Sequence, residues 1–448
     1  MSVIPPFDLL TSPEHAAPLP KAADAVVIGA GIIGVMTAWE LTRAGLSVVV
    51  IEKGRVAGEQ SSRNWGWVRA QGRDRAEIPI MLEARKIWTE MAAQIPEDIG
   101  LRTTGVAFLG NDEAGMAKFE DWLPDGRDYG LDSTLLSAKQ IADLIPNARA
   151  GWAGALWTPS DMKAEPWIAL PALARAAVRE GVQIVEHCAV RGLDLSAGAV
   201  SGVVTEAGVV KTSQVVLAGG AWSALFLRRH GIRIPQLSVK ATVAATAPMA
   251  DVFDGAAVDD RLAFRKRADG GYTLAPEGYH ELFIGPDAFR ALGGYAAALL
   301  KDPLGTRLRA MAPKGFPDAW GTPRRWADDE VSPFERMRIL NPQPNFRKTA
   351  QMAMDFAETF PHLGKVEIVK AWAGMIDTMP DVVPIVDRAP IDGLVVATGM
   401  CGHGFGIGPA FGRITARIVT GQEPGFDIGR FRFDRFSDGS KLVLGPNL

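Results

Sequence analysis

The sequence predicts an α/β protein in which a mainly parallel sheet is assembled from separated segments and accompanied by an α+β second domain. Three observations predict this fold class. Patterns of buried strand, glycine turn and helix occur in three separated blocks of the 448 residues. Stretches with the alternation of antiparallel strands lie between those blocks. The 48 glycines lie in short clusters beside apolar runs, where a backbone adopts positive φ or approaches a ligand closely.

Composition excludes several classes of protein. Hydrophobic residues make up 47% of the chain and charged residues 22%, which excludes disorder as its main state. A net charge of −3 leaves no basic excess to neutralise phosphates, so we expect no nucleic-acid partner. Two cysteines, Cys188 and Cys401, allow no disulfide framework and favour a reducing compartment. The six histidines show no metal-ligand spacing, so no metal site is predicted.

The amino-terminal segment, residues 1–23, is rich in proline and lacks the basic start and apolar core of a secretion signal. We expect it to form a loosely structured leader. The longest apolar run, residues 25–39, is too short to cross a bilayer. These features predict a cytoplasmic protein without a transmembrane segment, and they leave peripheral contact with the inner membrane open.

Residues 25–52 form the clearest local unit, a strand, a helix and a second strand. Gly29, Gly31 and Gly34 form a GxGxxG turn between the first strand and the helix, and Glu52 ends the second strand. The first glycine makes the tight turn, the second admits a pyrophosphate to the helix N-terminus, and the third lets the helix pack closely. The Glu52 carboxylate can accept hydrogen bonds from ribose hydroxyls. This unit predicts a dinucleotide site.

The same patterns predict the remaining elements. The expected helices lie in 77–97, 165–181, parts of 291–310 and 345–360, and the end of the final block, 393–421. Strands are expected in four stretches: among acidic loops over 101–160, over 182–190, as a hairpin and a buried strand over 198–220, and in antiparallel order over 232–290.

The GxGxxG turn does not separate NAD from FAD, but three later segments favour a flavin. They are SSRNWGWVR at 61–69, VVLAGGAWS at 215–223 and GMCGHGFGIGP at 399–409. Hydroxyl, amide and glycine groups in the first segment can line a pyrophosphate and a flavin edge. The second ends a buried strand in glycines. The third opens a helix, whose N-terminus would stabilise the negative charge of a reduced flavin.

These motifs resemble the FAD-dependent D-amino-acid oxidase and dehydrogenase superfamily, which includes glycine oxidase, sarcosine oxidase and D-amino-acid dehydrogenase. The resemblance also includes GALWTPSDMKAEP at 154–166 and WAGMIDTMPDVVPIVD at 372–387, and it runs in order over roughly residues 24–421. It implies a Rossmann-like FAD-binding domain and a substrate domain with a large, mostly antiparallel sheet. We assign residues 24–100, 161–228 and 346–448 to the FAD-binding domain, and residues 101–160 and 229–345 to the substrate domain.

The resemblance and the glycine motifs together predict the cofactor site. The residues expected to bind FAD are Gly29, Gly31, Ile32, Ile33, Gly34, Glu52, Lys53, Ser61, Ser62, Arg63, Asn64, Trp65, Gly66, Trp67, Val190, Ala218, Gly219, Gly220, Trp222, Gly374, Gly402, His403, Gly404, Phe405, Gly406 and Ile407. Sarcosine oxidases attach flavin through a cysteine before the motif at 372–387, and this chain has none there, so we expect non-covalent FAD.

The resemblance implies oxidation of the C–N bond of an amino acid or a related primary or secondary amine. A hydride would pass to flavin N5, and the imine would hydrolyse to a keto acid or aldehyde. The electron acceptor, whether oxygen, a quinone or another compound, stays open. Sarcosine-oxidase-like members carry a lysine where this chain has Gly406, which favours a dehydrogenase over an oxidase. Two alternatives remain, a 2-hydroxy-acid dehydrogenase and a non-catalytic FAD-binding subunit of a larger complex.

A substrate carboxylate calls for a cation, and Arg69, directly after the flavin-edge loop, is our first candidate. The further candidates for substrate binding are Arg265, Tyr272, Tyr279, Trp326 and Trp372. For His403 alone, we also hypothesise a catalytic role. Substrate identity, its chirality and the oligomeric state do not follow from the sequence.

Overall fold

The computed structural model describes residues 12–149, 151–301 and 305–445, so residues 1–11 of the predicted leader lie outside the described part. The strands are β1 (Ala25–Ile28), β2 (Val48–Ile51), β3 (Trp67–Val68), β4 (Arg102–Thr103), β5 (Val106–Gly110), β6 (Thr134–Ser137), β7 (Gly154–Thr158), β8 (Met162–Lys163), β9 (Gln183–Val185), β10 (Val190–Ser196), β11 (Ala199–Thr205), β12 (Gly208–Lys211), β13 (Val215–Leu217), β14 (Leu237–Thr246), β15 (Ala256–Val258), β16 (Leu262–Lys266), β17 (Tyr272–Pro276), β18 (His280–Phe283), β19 (Thr306–Arg309), β20 (Ile368–Thr378), β21 (Ile385–Arg388) and β22 (Leu394–Thr398).

Eleven α-helices lie between and after these strands in the described part of the chain. They are α1 (Ile32–Arg43), α2 (Gln60–Arg63), α3 (Glu77–Gln94), α4 (Glu113–Asp128), α5 (Ala138–Leu144), α6 (Pro166–Arg179), α7 (Ser223–Arg229), α8 (Pro286–Lys301), α9 (Pro333–Arg336), α10 (Phe346–Thr359) and α11 (Gly404–Val419). Within the described part of the chain, none of them is long and apolar enough to cross a membrane.

The first sheet has six strands in the order β21-β22-β13-β1-β2-β9. All neighbours are parallel except β21, which pairs antiparallel with β22. Both faces are buried, which explains why β1, β2, β13 and β22 are almost continuous runs of valine, isoleucine and leucine. Helices α1, α3, α6 and α11 pack around it. The Rossmann-like prediction is confirmed.

A second sheet of ten strands stands beside the first. Nine run in the order β19-β18-β14-β17-β16-β15-β5-β7-β6, and β20 pairs with β14. Two pairs, β5 with β15 and β18 with β19, are parallel and the others are antiparallel, as predicted. Two three-stranded sheets, β10-β11-β12 and β3-β8-β4, complete the strands.

One predicted domain boundary is wrong. Residues 346–378 were assigned to the FAD-binding domain, but β20 pairs along its length with β14 in the large sheet. Helix α10 buries Met352 and Phe356 in the core of that sheet. The third FAD-binding segment therefore starts after β20. Local patterns could not show this, because a strand's partner is set by pairing across the chain and not by its own residues.

The start of the described chain is more ordered than a loose leader. Ala16 forms a bridge with Val185 at the edge of the first sheet, and the backbone amides of Glu14 and His15 donate to the buried carboxylate of Glu186. Ala22 forms a second bridge, with β12. In a detached leader these backbone groups would form hydrogen bonds with water, whereas here they form hydrogen bonds within the protein.

The aromatic cluster behind the large sheet gives a test of this assignment. Phe356 is fully buried, with ring centroids of Phe264, Tyr272 and Phe360 at 5.5, 5.2 and 5.1 Å. We expect Phe356→Ala to lower the free energy of unfolding by about 3–5 kcal/mol, measured by chemical denaturation. On the same helix, Met354 is 52% exposed, and Met354→Ala should change stability by less than about 0.5 kcal/mol. Equal effects of the two substitutions would contradict the placement of α10.

Candidate active site

A cavity of about 710 Å³ opens at the carboxyl ends of β1, β2, β13 and β22 and extends to the large sheet. This is the edge of an open α/β sheet where ligands bind, because the strand ends and helix N-termini leave polar backbone groups there. The wall contains all three glycine groups of the sequence, represented by Gly29, Gly219 and Gly402. Segments far apart in sequence thus meet around one elongated space.

Glu52 marks one end of the cavity. Its carboxylate accepts hydrogen bonds from the backbone amides of Ala30 at 2.8 Å and Gly54 at 2.7 Å. Burial raises the pKa of Glu52, while Lys53 and the two amides oppose that shift. Each carboxylate oxygen keeps a second lone pair, which can accept a ribose hydroxyl.

The glycines of the first turn meet backbone where a side chain would stand. A Cβ on Gly29, which has φ of +103°, would lie 2.6 Å from the carbonyl oxygen of Ala218. A Cβ on Gly34 would lie 1.9 Å from the carbonyl oxygen of Gly29. The first turn of α1 contains no acidic residue, and Gly31 caps it without a side chain. This helix N-terminus is open to an anion such as a pyrophosphate.

The second glycine group ends β13 and is held by α2. Trp222 donates from its indole nitrogen to the Glu59 carboxylate at 3.0 Å, and the Lys53 ammonium lies 4.4 Å from its ring centroid. Lys53 also pairs with Glu59 at 2.6 Å. These three side chains fix one wall of the cavity beside Gly219 and Gly220.

The third glycine group is held by a buried carboxylate that the sequence did not single out as a site residue. Asp377, at the end of β20, accepts from the Gly399 amide at 2.7 Å and the Thr398 hydroxyl at 3.3 Å. Gln236 donates to both Asp377 and Thr398. Burial raises the pKa of Asp377. The loop that opens α11 is thereby tied to the end of the large sheet.

Arg63 places a buried cation in the cavity wall. It donates to the side chain of Asn341 and the carbonyl of Ala373, both at 2.7 Å, and to the carbonyl of Gly58 at 3.0 Å. Burial lowers its pKa to about 10. Gly374 makes room for it, since a Cβ there would lie 3.2 Å from the Cβ of Arg63.

Five residues predicted to bind the cofactor do not line the cavity and act through packing. They are Gly34, Ser62, Gly66, Gly406 and Ile407. Gly66 and Gly406 lie against neighbouring backbone, and Ser62 and Ile407 are fully buried. Some residues of the glycine-rich motifs line the cavity, and others allow close packing of neighbouring elements. The spacing of the glycines in the sequence does not distinguish these two roles. The other predicted cofactor residues line the cavity.

Arg69 is the one predicted substrate-binding residue that lines the cavity. Its guanidinium carbon lies 5.0 Å from the ring centroid of Phe108 and 5.9 Å from that of Trp67, and it donates to the Gln71 carbonyl. Burial, followed by the nearby charge of Arg73, lowers the pKa of Arg69 to about 9. At neutral pH the group still carries its charge.

The other five residues predicted to bind substrate lie outside the cavity wall, and in this structure their side chains have protein partners. Arg265 is 2% exposed and bonds to the Glu165 carboxylate at 2.8 Å and the Trp65 carbonyl at 2.6 Å. The hydroxyl of Tyr272 accepts from the Val252 amide at 2.9 Å in the core behind the large sheet. Both side chains have their polar groups satisfied by protein partners.

The remaining three also have structural partners. The hydroxyl of Tyr279 accepts from the amide of Asn345 at 3.0 Å. The indole of Trp326 donates to a backbone carbonyl in β10 at 2.9 Å. The indole of Trp372 donates to the Arg63 carbonyl at 3.1 Å and packs edge-on against another tryptophan ring.

His403 caps α11 and lines the cavity, and its partner was not anticipated. Glu77, in the first turn of α3, is fully buried, and its carboxylate lies 3.1 Å from His403 Nδ1. Burial opposes the charged carboxylate, but the hydrogen bond from His403 and the charges of Arg73 and Arg69 outweigh it, so the pKa of Glu77 is lowered. A glutamate at the start of a predicted helix is read as a surface residue, and no local signal distinguishes this one.

The far wall was also not predicted. The start of α4, with Asn111, Gly115, Lys118 and Phe119, lines the cavity opposite the glycine groups. The sequence patterns predict strands and acidic loops over 101–160 and do not predict the helices α4 and α5 found there. Glycine and proline within α4 obscured its helical pattern.

Comparison with known proteins agrees with this geometry. A family model described as FAD dependent oxidoreductase matches residues 24–418. The L-amino acid deaminase from Proteus myxofaciens, solved in complex with anthranilate, superimposes with a TM-score of 0.89 at 31% identity, over 96% of each chain. The sarcosine oxidase subunit beta of Arthrobacter sp is 23% identical over 96% of each chain. Human mitochondrial sarcosine dehydrogenase is 26% identical over 59% of this chain, a match that spans 30% of that protein's length.

The residues present fit FAD. The elongated cavity carries a carboxylate at Glu52 that could accept ribose hydroxyls, an open helix N-terminus at Gly31, and glycine backbone at Gly219 and Gly402. A nicotinamide cofactor would also need the carboxylate and the open helix N-terminus, but its binding would not explain the glycine loop before α11. Metal-ligand clusters do not occur among the described residues.

The packing role of Gly34 is testable. Its Cβ would overlap the backbone of the turn, so we expect Gly34→Ala to reduce the FAD content of the purified protein at least about tenfold. The measurement is the ratio of flavin to protein absorbance. Gly321 is exposed and its Cβ would meet open space, so Gly321→Ala should keep full FAD content. Full occupancy in Gly34→Ala would contradict this account of the turn.

Proposed function

The chain belongs to the FAD dependent oxidoreductase family, and from this premise we propose that it oxidises the C–N bond of an α-amino acid with a bulky apolar side chain, as a dehydrogenase. The observation that carries this proposal is Arg69, a cation flanked by two aromatic rings in the cavity wall. Relatives of this chain are named for sarcosine, glycine and L-amino acids, which supports an enzyme that acts on an amino acid or amine.

Two arginines supply the charge for a substrate carboxylate. Arg69 and Arg73 both line the cavity, and Arg73 Nη1 is buried without a hydrogen-bond partner among the described residues. An unpaired buried donor costs free energy, so the site favours a ligand that brings an acceptor. A carboxylate can accept from both guanidinium groups.

The walls beside Arg69 favour a large apolar group. Phe108 lies between Trp67 and Phe119, with ring centroids 6.4 Å from each, and Val258 continues the same wall. Burial of a large apolar side chain against such a surface contributes about 1.5–3 kcal/mol. The Proteus myxofaciens enzyme holds anthranilate, an aromatic carboxylate, which supports a substrate of this kind.

FAD, when bound, would supply the acceptor for the hydride that leaves the α-carbon of the substrate. The protein then has three tasks, which are to anchor the carboxylate at Arg69, to exclude water with the aromatic wall and to hold the amine in reach of the cofactor. Glu52, the N-terminus of α1 and the loop before α11 would hold the cofactor itself. The imine product hydrolyses in water to a keto acid.

Two further functions stay open as candidates. The match to the beta subunit of a sarcosine oxidase supports a role as the flavin subunit of a larger complex. A 2-hydroxy acid carries the same carboxylate as an amino acid and would also suit Arg69. An anaerobic screen of D- and L-amino acids, N-methyl amino acids and hydroxy acids, read as loss of flavin absorbance, separates these functions. Stoichiometric hydrogen peroxide under air would overturn the assignment as a dehydrogenase.

Arg69→Met should raise KM for the amino acid about 100-fold, because it removes a charge-assisted anchor worth roughly 3 kcal/mol. The same substitution should weaken anthranilate binding, measured by perturbation of flavin absorbance. Arg233 is exposed, and Arg233→Met provides a matched loss of one surface charge that should leave both measurements unchanged. An unaltered anthranilate affinity in Arg69→Met would rule out this arginine as the anchor.

We also propose that FAD is held without a covalent bond. Cys401, the one cysteine in the cavity wall, donates from its thiol to the Gly399 carbonyl at 3.0 Å and accepts from the Met379 amide at 3.3 Å. Burial raises the pKa of this thiol well above its usual value, so the reactive thiolate is scarce. Acid precipitation should therefore release all flavin into the supernatant. Flavin retained in the pellet would refute a non-covalent site.

A further inference from the structure

We propose that His403 takes the proton from the substrate ammonium before oxidation, and that Glu77 is the positioning residue that holds the imidazole in the form able to do so. This inference rests on the proposed oxidation of an amino acid and assigns a side chain to a step that the cofactor cannot perform. The observation behind it is the pairing of a cavity-lining histidine with a fully buried glutamate.

The geometry selects one tautomer. The carboxylate of Glu77 lies 3.1 and 3.3 Å from His403 Nδ1, and an ionised carboxylate only accepts, so Nδ1 carries the hydrogen. Nε2 then has a free lone pair, and the structure gives it no hydrogen-bond partner among the described residues. The His403 side chain is 18% exposed, and His403 is part of the cavity wall.

The backbone holds this pair rigidly. His403 is the cap of α11, and Glu77 lies in the first turn of α3. The two helices pack against each other, and Trp88 of α3 donates to the Gly406 carbonyl of α11 at 2.9 Å. A base that works on a bound substrate needs such a fixed position.

The reaction needs a proton acceptor at this place. An amino acid at neutral pH carries an ammonium group, whose nitrogen has no electron pair to stabilise the carbon that loses hydride. In the proposed step an N–H bond of the ammonium breaks, its electron pair stays on the amine nitrogen, and the proton forms the Nε2–H bond of His403. No oxidant is consumed, and the imidazolium later returns the proton to water.

Electrostatics keep the imidazole neutral until substrate binds. The charged groups that face His403 are Glu77 from α3, and Arg73 and Arg69 from the segment before it. Burial, followed by Arg73, lowers the pKa of His403 and outweighs the attraction of Glu77. The substrate carboxylate would neutralise part of the arginine charge, which makes the imidazole a better base only when substrate is present.

A contribution to the folding stability of the protein does not explain why a carboxylate is buried at position 77. Burying a carboxylate carries a large desolvation cost, which packing with apolar residues of similar size avoids. The neighbouring buried positions on α3, Ile78, Ile80 and Met81, are apolar. A charge at this one position is consistent with a task at the cavity, since its partner His403 lines that cavity.

The test is the pH dependence of flavin reduction by saturating amino acid, followed anaerobically by stopped flow. His403→Asn keeps a residue that caps helices, and we expect it to slow reduction roughly 100-fold at pH 7. Its rate should then rise tenfold per pH unit towards the pKa of the substrate ammonium. Binding of anthranilate, which has no α-hydrogen to lose, should change less than about threefold.

Glu77→Gln provides the second measurement. The glutamine oxygen still accepts from Nδ1, but loss of the negative charge disfavours the imidazolium. The acid limb of the rate profile should therefore move to lower pH by about one unit. His362 is exposed, and His362→Asn is the control that should reproduce the wild-type profile. A purely structural role of Glu77 would lower stability without moving that limb.

Each result of these measurements either supports or contradicts the proposed role of His403 and Glu77. A wild-type pH profile in His403→Asn, or an unmoved limb in Glu77→Gln, overturns the inference while leaving the proposed function intact. If His403→Asn purifies without FAD, the Glu77→Gln profile alone decides. If no amino acid reduces the wild-type flavin, the proposed function fails and this inference fails with it.

Discussion

Close packing of backbone against glycine positions the helices and loops that form the cavity. The missing Cβ of Gly34 lets α1 settle on the turn after β1, where a methyl group would lie 1.9 Å from a carbonyl oxygen. Gly408 and Gly412 then let α11 pack on α1, because Cβ atoms there would lie 2.7 and 2.5 Å from Ile32 and Met36. The start of α11, and with it His403, is thus positioned by glycines several turns away.

Hydrogen bonds also attach the large sheet to the rest of the site. Side chains that the sequence suggested as substrate ligands instead join the large sheet to the loop around α2. Arg265 on β16 holds the Trp65 carbonyl, and Trp372 on β20 holds the Arg63 carbonyl. Because the cavity lies between these elements, such bonds set its width. Residues with the right chemistry for a ligand can thus serve the site without touching one.

Charge inside the site is balanced over several groups. Asp161 accepts from the amides of Ala70 and Gln71, and burial raises its pKa to about 6. It lies under the segment that carries Arg69 and Arg73, whose charges are only partly matched by protein partners. On the proposed function, an anionic ligand would pair with such donors, whereas an apolar ligand would leave them unpaired in a low-dielectric space.

Sequence patterns were enough to predict the parallel sheet, the dinucleotide turn with Glu52, the three glycine groups expected around FAD, and the family. Those features are local, because a glycine turn between a buried strand and a helix encodes its own backbone geometry. Three other features came from the packing of distant elements: β20 joins the large sheet, Asp377 holds the loop before α11, and Glu77 meets His403, 326 positions away. A long polar side chain can be satisfied by many partners, and the partner it finds is set by how distant elements pack.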